Sequence, residues 1–187
     1  MCEFLAVMSQ NLGTPDPNFD PELLFDPELL SDLALRPAEG LEIRPLRRDD
    51  YRKGFPELLS QLTTVGDYDE EAFRARFDAM RSCKHHYFVT VIEDKRVAKI
   101  IAASTLAVEL KFIRNCALRG RLEDVVVNQT YRGKNLGRII VQSIVHLARR
   151  VGCYKLSLDC KDDLIKFYES SGFKCEAGNA NTMIIRL

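Results

Sequence analysis

The feature that most constrains the fold is a predicted strand, a basic glycine-containing turn and a long amphipathic helix, which follow one another between residues 120 and 152. The turn, residues 132–137, contains two glycines, and the cations Arg132, Lys134 and Arg138 lie in it or beside it. Main-chain amides at the start of a helix, close to glycines and cations, form a cradle suited to an anion such as a pyrophosphate. The spacing fits neither GxxxxGK[ST] nor GxGxxG. A plain helix cap is the alternative, and the surrounding elements decide between the two.

Strand and helix patterns alternate on both sides of this unit. Helices are predicted over residues 49–62, 69–83, 137–152 and 162–171. Strands are predicted over residues 41–46, 87–92, 97–110, 120–128 and 154–160, with closing strands at 173–176 and 182–187. Pro45 places the first strand at a sheet edge or a strand end. The pattern predicts an α/β fold with a mixed central sheet of about six or seven strands flanked by helices.

The first 38 residues have a different composition and are predicted to be an acidic, proline-rich N-terminal arm ahead of a domain at residues 39–187. Five of the seven prolines lie in the first 40 residues, and residues 19–24 and 25–30 both read Phe-Asp-Pro-Glu-Leu-Leu. Each copy combines an Asp cap, a Pro at the first helical position and two Leu, but is too short to be a stable helix alone. A flexible arm is the main expectation. A docking element that lays Phe and Leu on the domain or on a partner is the alternative.

Charge and cysteine usage restrict the partners and the compartment. Residues 1–40 contain eight acidic residues and one basic residue, so the rest of this neutral chain carries seven excess positive charges and suits an anionic ligand. Nucleic acid is not expected, because no basic tract or interleaved aromatic pair is present. No apolar run approaches a membrane span, and the N-terminus lacks the features of a signal peptide. Six scattered cysteines indicate free thiols and no metal site, so the expected location is cytoplasmic, either free or peripheral on endomembranes.

Further motifs accompany the turn and together resemble one family. They are Leu62-Thr63-Thr64-Val65-Gly66, Glu109-Leu110-Lys111-Phe112-Ile113, Glu123-Asp124-Val125-Val126-Val127, Gly152-Cys153-Tyr154-Lys155 and Lys166-Phe167-Tyr168-Glu169-Ser170-Ser171-Gly172-Phe173. In this order they resemble the eukaryotic glucosamine 6-phosphate N-acetyltransferases of the GNAT superfamily, over residues 39–187. The pyrophosphate loop of that superfamily reads Arg or Gln-x-x-Gly-x-Gly or Ala. Asn135 stands here for the inner glycine, and Asn tolerates the left-handed backbone.

The resemblance implies direct transfer of the acetyl group of acetyl-CoA to the amine of D-glucosamine 6-phosphate, without a covalent enzyme intermediate. The products are N-acetyl-D-glucosamine 6-phosphate and CoA, in a step of UDP-N-acetylglucosamine biosynthesis. It also implies a homodimer with a shared active site, in which the last strand reaches the neighbouring subunit.

The resemblance assigns roles to particular residues. Tyr168 would offer its hydroxyl to the departing CoA sulfur, and the main-chain carbonyl near Asp159 would hold the amine. The pantetheine arm would pair with main-chain amides at a bulged strand, and the pyrophosphate would lie in the turn. These cofactor-binding residues are Val125, Val126, Val127, Arg132, Gly133, Lys134, Asn135, Leu136, Gly137 and Tyr168. The sugar phosphate would be bound by Thr63, Lys111, Phe112, Ile113, Arg114, Glu123, Asp124, Val125 and Arg186.

Two residues depart from the family pattern, and other functions stay open. Arg114 replaces a usual His, and Leu164 replaces an Asn that contacts the cofactor arm. One alternative is a related enzyme acting on a protein amine, against which a phosphate clamp of Lys111 and Arg186 argues. Others are a nucleic-acid-binding module and a CoA-binding module without transfer activity. Covalent catalysis by Cys160 is disfavoured, because no His is near it in the sequence.

Overall fold

A five-stranded mixed sheet runs through residues 20–176, the part of the chain that the computed structural model describes. The strands are β1 (Leu41–Pro45), β2 (Tyr87–Asp94), β3 (Lys99–Leu110), β4 (Leu118–Val127) and β5 (Cys153–Ser157), in the order β1-β2-β3-β4-β5. The first four pair antiparallel and β5 pairs parallel to β4. Pro45 ends the edge strand β1, where the ladder hydrogen bond that proline cannot donate is least needed.

In the described part of the chain, four α-helices accompany the sheet: α1 (Phe55–Leu59), α2 (Glu70–Ser82), α3 (Leu136–Val151) and α4 (Ile165–Glu169). Helix α2 begins as predicted, because the Asp69 side chain accepts a hydrogen bond from the Ala72 amide. Helix α3 ends as predicted at Gly152, whose left-handed conformation (φ 87°) lets its N–H reach the last-turn carbonyls. None of the helices within residues 20–176 is long and apolar enough to cross a bilayer.

The helices cover opposite faces of the sheet. The hydroxyl of Ser104 on β3 donates to the Ile140 carbonyl of α3, at 3.4 Å. The next residue, Thr105, lines a cavity together with residues of α1 and α2. Because successive side chains of a strand point to opposite faces, α3 lies on one side of the sheet and α1 and α2 lie on the other. The buried stripe that holds α3 in place comprises Leu136, Ile139, Ile140, Val141, Ile144, Leu147, Ala148 and Val151.

Some predictions about the elements differ from the structure in detail. The described sheet has five strands rather than six or seven, and residues 173–176 form no strand. The predicted strand 182–187 lies outside the described residues. The predicted helix 49–62 is divided into a 3₁₀ turn, Asp50–Lys53, and α1, because Gly54 between them adopts φ 80°.

Asp50 lies at the start of the predicted helix 49–62, where an Asp would be expected to cap the helix, but it has a different role. Its side chain is fully buried and accepts two hydrogen bonds from Arg44, at 2.7 and 2.8 Å. Arg44 also donates to Glu93, at 2.6 and 3.0 Å, and the Lys53 ammonium lies 3.2 Å from Glu93. A buried charge is tolerated when it is paired and hydrogen-bonded, and this cluster ties β1 and β2 to the 3₁₀ turn.

The described part of the N-terminal arm packs on the domain. In each repeat the Asp side chain, Asp20 or Asp26, accepts a hydrogen bond from the amide two residues later, at 2.9 Å. The Phe25 ring lies edge-on to Phe88 of β2, with centroids 5.3 Å apart. Both repeats contribute buried leucines: Leu23, Leu24, Leu29 and Leu30. These contacts are those of the docking alternative rather than of a free arm, whereas the domain boundary at residue 38 stays a prediction.

Candidate active site

A β-bulge interrupts β4 where the sequence places the candidate pantetheine strand. Thr105 of β3 is opposite Glu123, and Ala103 is opposite Val126, so Ser104 alone faces the two residues Asp124 and Val125. Asp124 adopts φ 54°, which is uncommon for a residue other than glycine. A bulge of this kind bends the strand and increases its twist. The bend falls at residues 124–125, at the start of the predicted segment.

The two parallel strands stop pairing shortly before the bulge. Strand β5 pairs with β4 from Leu118–Cys153 to Arg121–Ser157, and no further pair joins them within residues 20–176. The second half of β4 therefore keeps its pairing with β3 but has no β5 partner. Main-chain N–H and C=O groups along that edge are left for another extended chain. This arrangement suits the entry of a pantetheine arm between the strands.

The turn before α3 has the backbone that an anion cradle requires. Gly133 adopts φ 78° with open space where a Cβ would lie, and Asn135 adopts φ 60°, ψ 11°. Asn135 therefore does occupy a left-handed position, as its replacement of a glycine suggested. The first N–H groups of an α-helix have no acceptor within the helix, and Asn135 makes no side-chain cap. These amides and the exposed Arg132 and Lys134 fit a pyrophosphate.

Gly137 serves the packing of α4 rather than an open approach. A Cβ at Gly137 would lie 3.3 Å from the Phe167 ring and 3.8 Å from Val127. The Phe167 ring thus occupies the space beside the first turn of α3. This contact brings α4, which carries Tyr168, next to the end of β4 and the turn.

Tyr168 is the best-buried aromatic residue of α4, with 9% of its surface exposed. Its ring lies edge-on to Phe167 and Phe173, at centroid distances of 4.9 and 6.0 Å. Its hydroxyl has no hydrogen-bond partner among the described residues. Burial, together with the neighbouring Cys160, raises the pKa of Tyr168, so the hydroxyl remains protonated at neutral pH.

Alternating charges form a strip across β3, β4 and the segment after β5. Arg121 lies at its centre and donates to Glu123 and to Asp159, each at 2.8 Å. Both carboxylates raise the pKa of Arg121. Farther along the strip Lys111 forms an ion pair with Glu109, which lowers the pKa of that carboxyl. The complete strip comprises Glu109, Lys111, Arg119, Arg121, Glu123 and Asp159.

Asp159 offers its main chain to a ligand. It follows the last residue of β5 paired to β4, and its carbonyl oxygen accepts no hydrogen bond from residues 20–176. Its side chain is held by Arg121, which fixes the position of this segment relative to β4. An unpaired carbonyl beside a bulged strand is a suitable acceptor for an amine N–H.

Asp124 lies between the strip and an apolar cavity. The hydroxyl of Thr105 donates to its carboxylate at 3.4 Å. Desolvation and the like charge of Glu123 raise the pKa of Asp124. The cavity has a volume of about 410 Å³, and its lining of α1, α2 and sheet residues includes Thr105 and Asp124. Its mainly apolar lining is unsuited to a phosphate.

The β3–β4 connection projects apolar side chains from the surface. Phe112 is 98% exposed and Ile113 is also exposed. Arg114 and the two residues after it all have positive φ, so the segment is a left-handed turn rather than a helix. The Arg114 guanidinium lies 5.2 Å from the centre of the Tyr154 ring.

The structure brings most of the candidate residues to two adjoining regions. The turn, residues 125–127 and Tyr168 surround the separated strands, and Lys111, Glu123, Asp124 and the Asp159 segment follow the charged strip. Thr63 lies on the loop after α1, which the Gln61 side chain ties to the Gln129 amide at 2.9 Å. Phe112 and Ile113 point to solvent, and Leu164, which is exposed, precedes α4. Arg186 lies outside the described residues.

Sequence reasoning missed Gln61, Arg119, Arg121 and Phe167. Arg121 lies two residues before Glu123, the spacing of side chains on one face of a strand, so that signal was present. Gln61 and Phe167 act through residues distant in sequence, and no local pattern marks them.

Cys160 lacks the surroundings of a nucleophile. Burial and nearby acidic groups raise the pKa of its thiol, which disfavours the reactive thiolate. No histidine is hydrogen-bonded to it in the part of the chain described. The covalent alternative therefore remains disfavoured.

Comparison with known proteins assigns the family. The profile of the Acetyltransferase (GNAT) family matches residues 42–173. The chain therefore belongs to the GNAT acetyltransferases, which use acetyl-CoA as co-substrate.

Relatives define the group within that family. A Drosophila melanogaster protein named "Probable glucosamine 6-phosphate N-acetyltransferase" is 58% identical over 78% of this chain, which spans 66% of that protein, just under two thirds of its length. Glucosamine 6-phosphate N-acetyltransferase 1 of Dictyostelium discoideum is 44% identical over 73% of this chain and 86% of its own length. The crystal structure of the Arabidopsis thaliana enzyme of that name has a TM-score of 0.74 and 39% identity, over 79% of this chain and all of that chain. Within the GNAT acetyltransferases the chain groups with the glucosamine 6-phosphate N-acetyltransferases.

Proposed function

We propose that this chain transfers the acetyl group of acetyl-CoA to the amine of D-glucosamine 6-phosphate, a step towards UDP-N-acetylglucosamine. The observation that carries the proposal is the bulge at Asp124–Val125, because β4 and β5 stop pairing shortly before it, on the side of the turn at the start of α3. The names of the relatives support the substrate. The products are N-acetyl-D-glucosamine 6-phosphate and CoA.

The cofactor side uses main-chain groups and a few cations. The amides of residues 125–127 pair with the pantetheine arm at the unpaired edge of β4. The pyrophosphate is held by the amides and cations of residues 132–137, for which the open space at Gly133 and the uncapped start of α3 leave room. Acetyl-CoA supplies the acyl group as a thioester.

The sugar phosphate is held by the charged strip and the loops beside it. Lys111 provides a cation for the phosphate, and Arg186 provides the second, as in the family that this chain resembles. Glu123 and Asp124 accept hydrogen bonds from the ring hydroxyls. Arg121 is not available to bind the phosphate, since it is hydrogen-bonded to Glu123 and Asp159. Its role is to position Glu123 and the Asp159 segment.

The reaction needs a neutral amine, an acyl carbon at the right distance and a place for developing charge. The Asp159 carbonyl accepts a hydrogen bond from the amine and orients its lone pair toward the acyl carbon. An amide of residues 125–127 donates to the acyl oxygen as negative charge develops on it. The Tyr168 hydroxyl donates to the sulfur as the carbon–sulfur bond breaks. The electronegative substituents beside the amine of glucosamine lower its basicity, so no dedicated strong base is required.

Thiol release tests this proposal. Acetyl-CoA is offered with glucosamine 6-phosphate, with glucosamine or with a peptide that has a free amine, and the N-acetylated product is identified by mass spectrometry. We expect rapid thiol release only when glucosamine 6-phosphate is the acceptor, because the cations of the site bind its phosphate. Faster release with the peptide would contradict the assignment, as would equal release with glucosamine.

We also propose that two copies share the site. Leu110, Phe112 and Ile113 are exposed apolar side chains beside the charged strip. Such a patch suits contact with a second copy of this chain. Mixing Arg186→Ala and Tyr168→Phe subunits should then restore activity, because some heterodimers contain one site with both residues. A stable, fully active monomer in sedimentation would contradict the shared site.

The scattered free cysteines support a cytoplasmic location.

A further inference from the structure

A chain of contacts joins the end of β2 to the pyrophosphate turn. Asp94, the last residue of β2, is buried, and its carboxylate accepts a hydrogen bond from the Tyr131 hydroxyl at 2.9 Å. Tyr131 directly precedes the turn, and the Lys134 ammonium lies 4.8 Å from the centre of its ring. These contacts therefore connect a buried carboxylate, through an aromatic ring, to a cation of the turn.

Arg96 holds the Asp94 carboxylate in place independently of Tyr131. Arg96 binds it with its Nε at 2.8 Å and its Nη2 at 2.6 Å, and the Arg96 amide adds a third hydrogen bond at 3.1 Å. With this support Asp94 holds the Tyr131 hydroxyl, and so the plane of the ring, in one place. Hydrogen bonds from Arg96 and Tyr131 keep the pKa of Asp94 well below its usual range, so the carboxylate stays charged throughout any practical assay.

An aromatic ring attracts an ammonium through the negative charge on its face. A lysine side chain is long and flexible, and it loses conformational freedom when it binds a phosphate. A ring that already holds Lys134 beside Gly133 and the amides of α3 reduces that loss.

We propose that Tyr131 is a positioning residue that holds the Lys134 ammonium at the pyrophosphate turn, and that Asp94 fixes the Tyr131 ring for this purpose. The inference rests on the proposed function, in which residues 132–137 bind the pyrophosphate of acetyl-CoA. It adds a platform outside the turn itself and connects a β2 residue, Asp94, to the cation of the turn.

The test compares two acetyl donors that differ in the pyrophosphate. Acetyl-CoA has it, whereas S-acetylpantetheine has the thioester and the pantetheine arm but no pyrophosphate. Tyr131→Leu should raise the Michaelis constant for acetyl-CoA and the dissociation constant for CoA, measured by calorimetry, about two- to fivefold, the range for a partly exposed cation–aromatic contact. The turnover number should not change, and kcat/KM for S-acetylpantetheine should also stay the same. Equal losses with both donors would show a purely structural role and overturn the proposal, as would no loss with either.

Two further variants make the test specific. In a Lys134→Met background, Tyr131→Leu should have no additional effect on CoA binding, because the ring acts through that cation. An additive loss would overturn the proposal. Tyr131→Phe should reproduce part of the loss, because it removes only the bond to Asp94. Its matched control is Tyr51→Phe, which removes a hydroxyl that donates to the Tyr68 carbonyl at 3.0 Å, away from the turn, and should leave CoA binding unchanged.

The wild-type protein separates this inference from the proposed function. If it uses acetyl-CoA no better than S-acetylpantetheine, the pyrophosphate assignment of the turn fails, and this inference fails with it. If acetyl-CoA is strongly preferred and Tyr131→Leu leaves that preference intact, only the role of Tyr131 is refuted.

Discussion

Removal of the Tyr168 hydroxyl is the most direct perturbation of the reaction that the structure allows. Phenylalanine keeps the ring that packs against Phe167 and Phe173. Among residues 20–176 the hydroxyl has no hydrogen-bond partner to lose. Tyr168→Phe should therefore change the free energy of unfolding by less than about 1 kcal/mol, which corresponds to a melting-temperature change below about 4 °C.

The effect on turnover should be much larger. A single donor that stabilises charge in the transition state contributes about ten- to a thousandfold to the rate, or about 1.4 to 4 kcal/mol. Since the pKa of Tyr168 is raised, the hydroxyl remains a donor across neutral and mildly alkaline pH, and the deficit of the variant should be constant over that range. The Michaelis constant for the sugar phosphate should hardly change, because the hydroxyl acts on the sulfur.

Kinetics and thermal unfolding on the same preparation decide between the two roles of this residue. Tyr51→Phe is the matched control, because its hydroxyl donates to a carbonyl and its loss should cost about 0.5–1.5 kcal/mol of stability without a change in turnover. A large fall in the melting temperature of Tyr168→Phe would identify a structural hydroxyl. Full turnover of a folded variant would exclude Tyr168 from the mechanism.

Further variants test the parts that support the site. Asp50→Ala should lower the free energy of unfolding in urea by about 3–5 kcal/mol, because it leaves the buried Arg44 short of a partner. Arg44 keeps the pKa of Glu93 low despite burial. Ionised Glu93 therefore stabilises the fold above its unfolded-state pKa, and this contribution is lost as the pH falls through the folded-state pKa. Glu93→Gln should flatten the acid side of a curve of stability against pH. Gly133→Ala should cost about 1–2 kcal/mol in urea unfolding, because φ is 78° there. Phe112→Asp should weaken self-association in sedimentation without disturbing the fold of the single subunit, as judged by circular dichroism, since the ring is 98% exposed in that subunit.

The parts of the fold that could be predicted depend on short-range signals. Helix α3 and its stop at Gly152 follow from apolar spacing and a left-handed cap. The left-handed backbone at Asn135 follows from one substitution in a glycine position. Each of these features is set by residues that are close in sequence, so the pattern contains the physical cause.

The parts that failed depend on distant partners. Asp49 and Asp50 have the composition of a helix cap, but Arg44 and Glu93 take the Asp50 carboxylate into a buried cluster instead. The apolar residues of the arm are ambiguous for the same reason, because only the pairing of Phe25 with Phe88 shows what covers them. Tertiary contacts override local propensity at both places.

At the charged strip, the sequence predicts which residues belong to the candidate site but not which charges pair with each other. The family resemblance predicts Lys111 as a phosphate ligand, and in the structure its ammonium is paired with Glu109. Interleaved carboxylates offset the repulsion among Lys111, Arg119 and Arg121, which would otherwise lie close together without counter-charges. A phosphate dianion that approaches Lys111 therefore competes with a single carboxylate, and its greater charge and additional acceptor oxygens favour the exchange. The site is thus ordered by its own acids before the substrate arrives, so less conformational freedom is lost on binding.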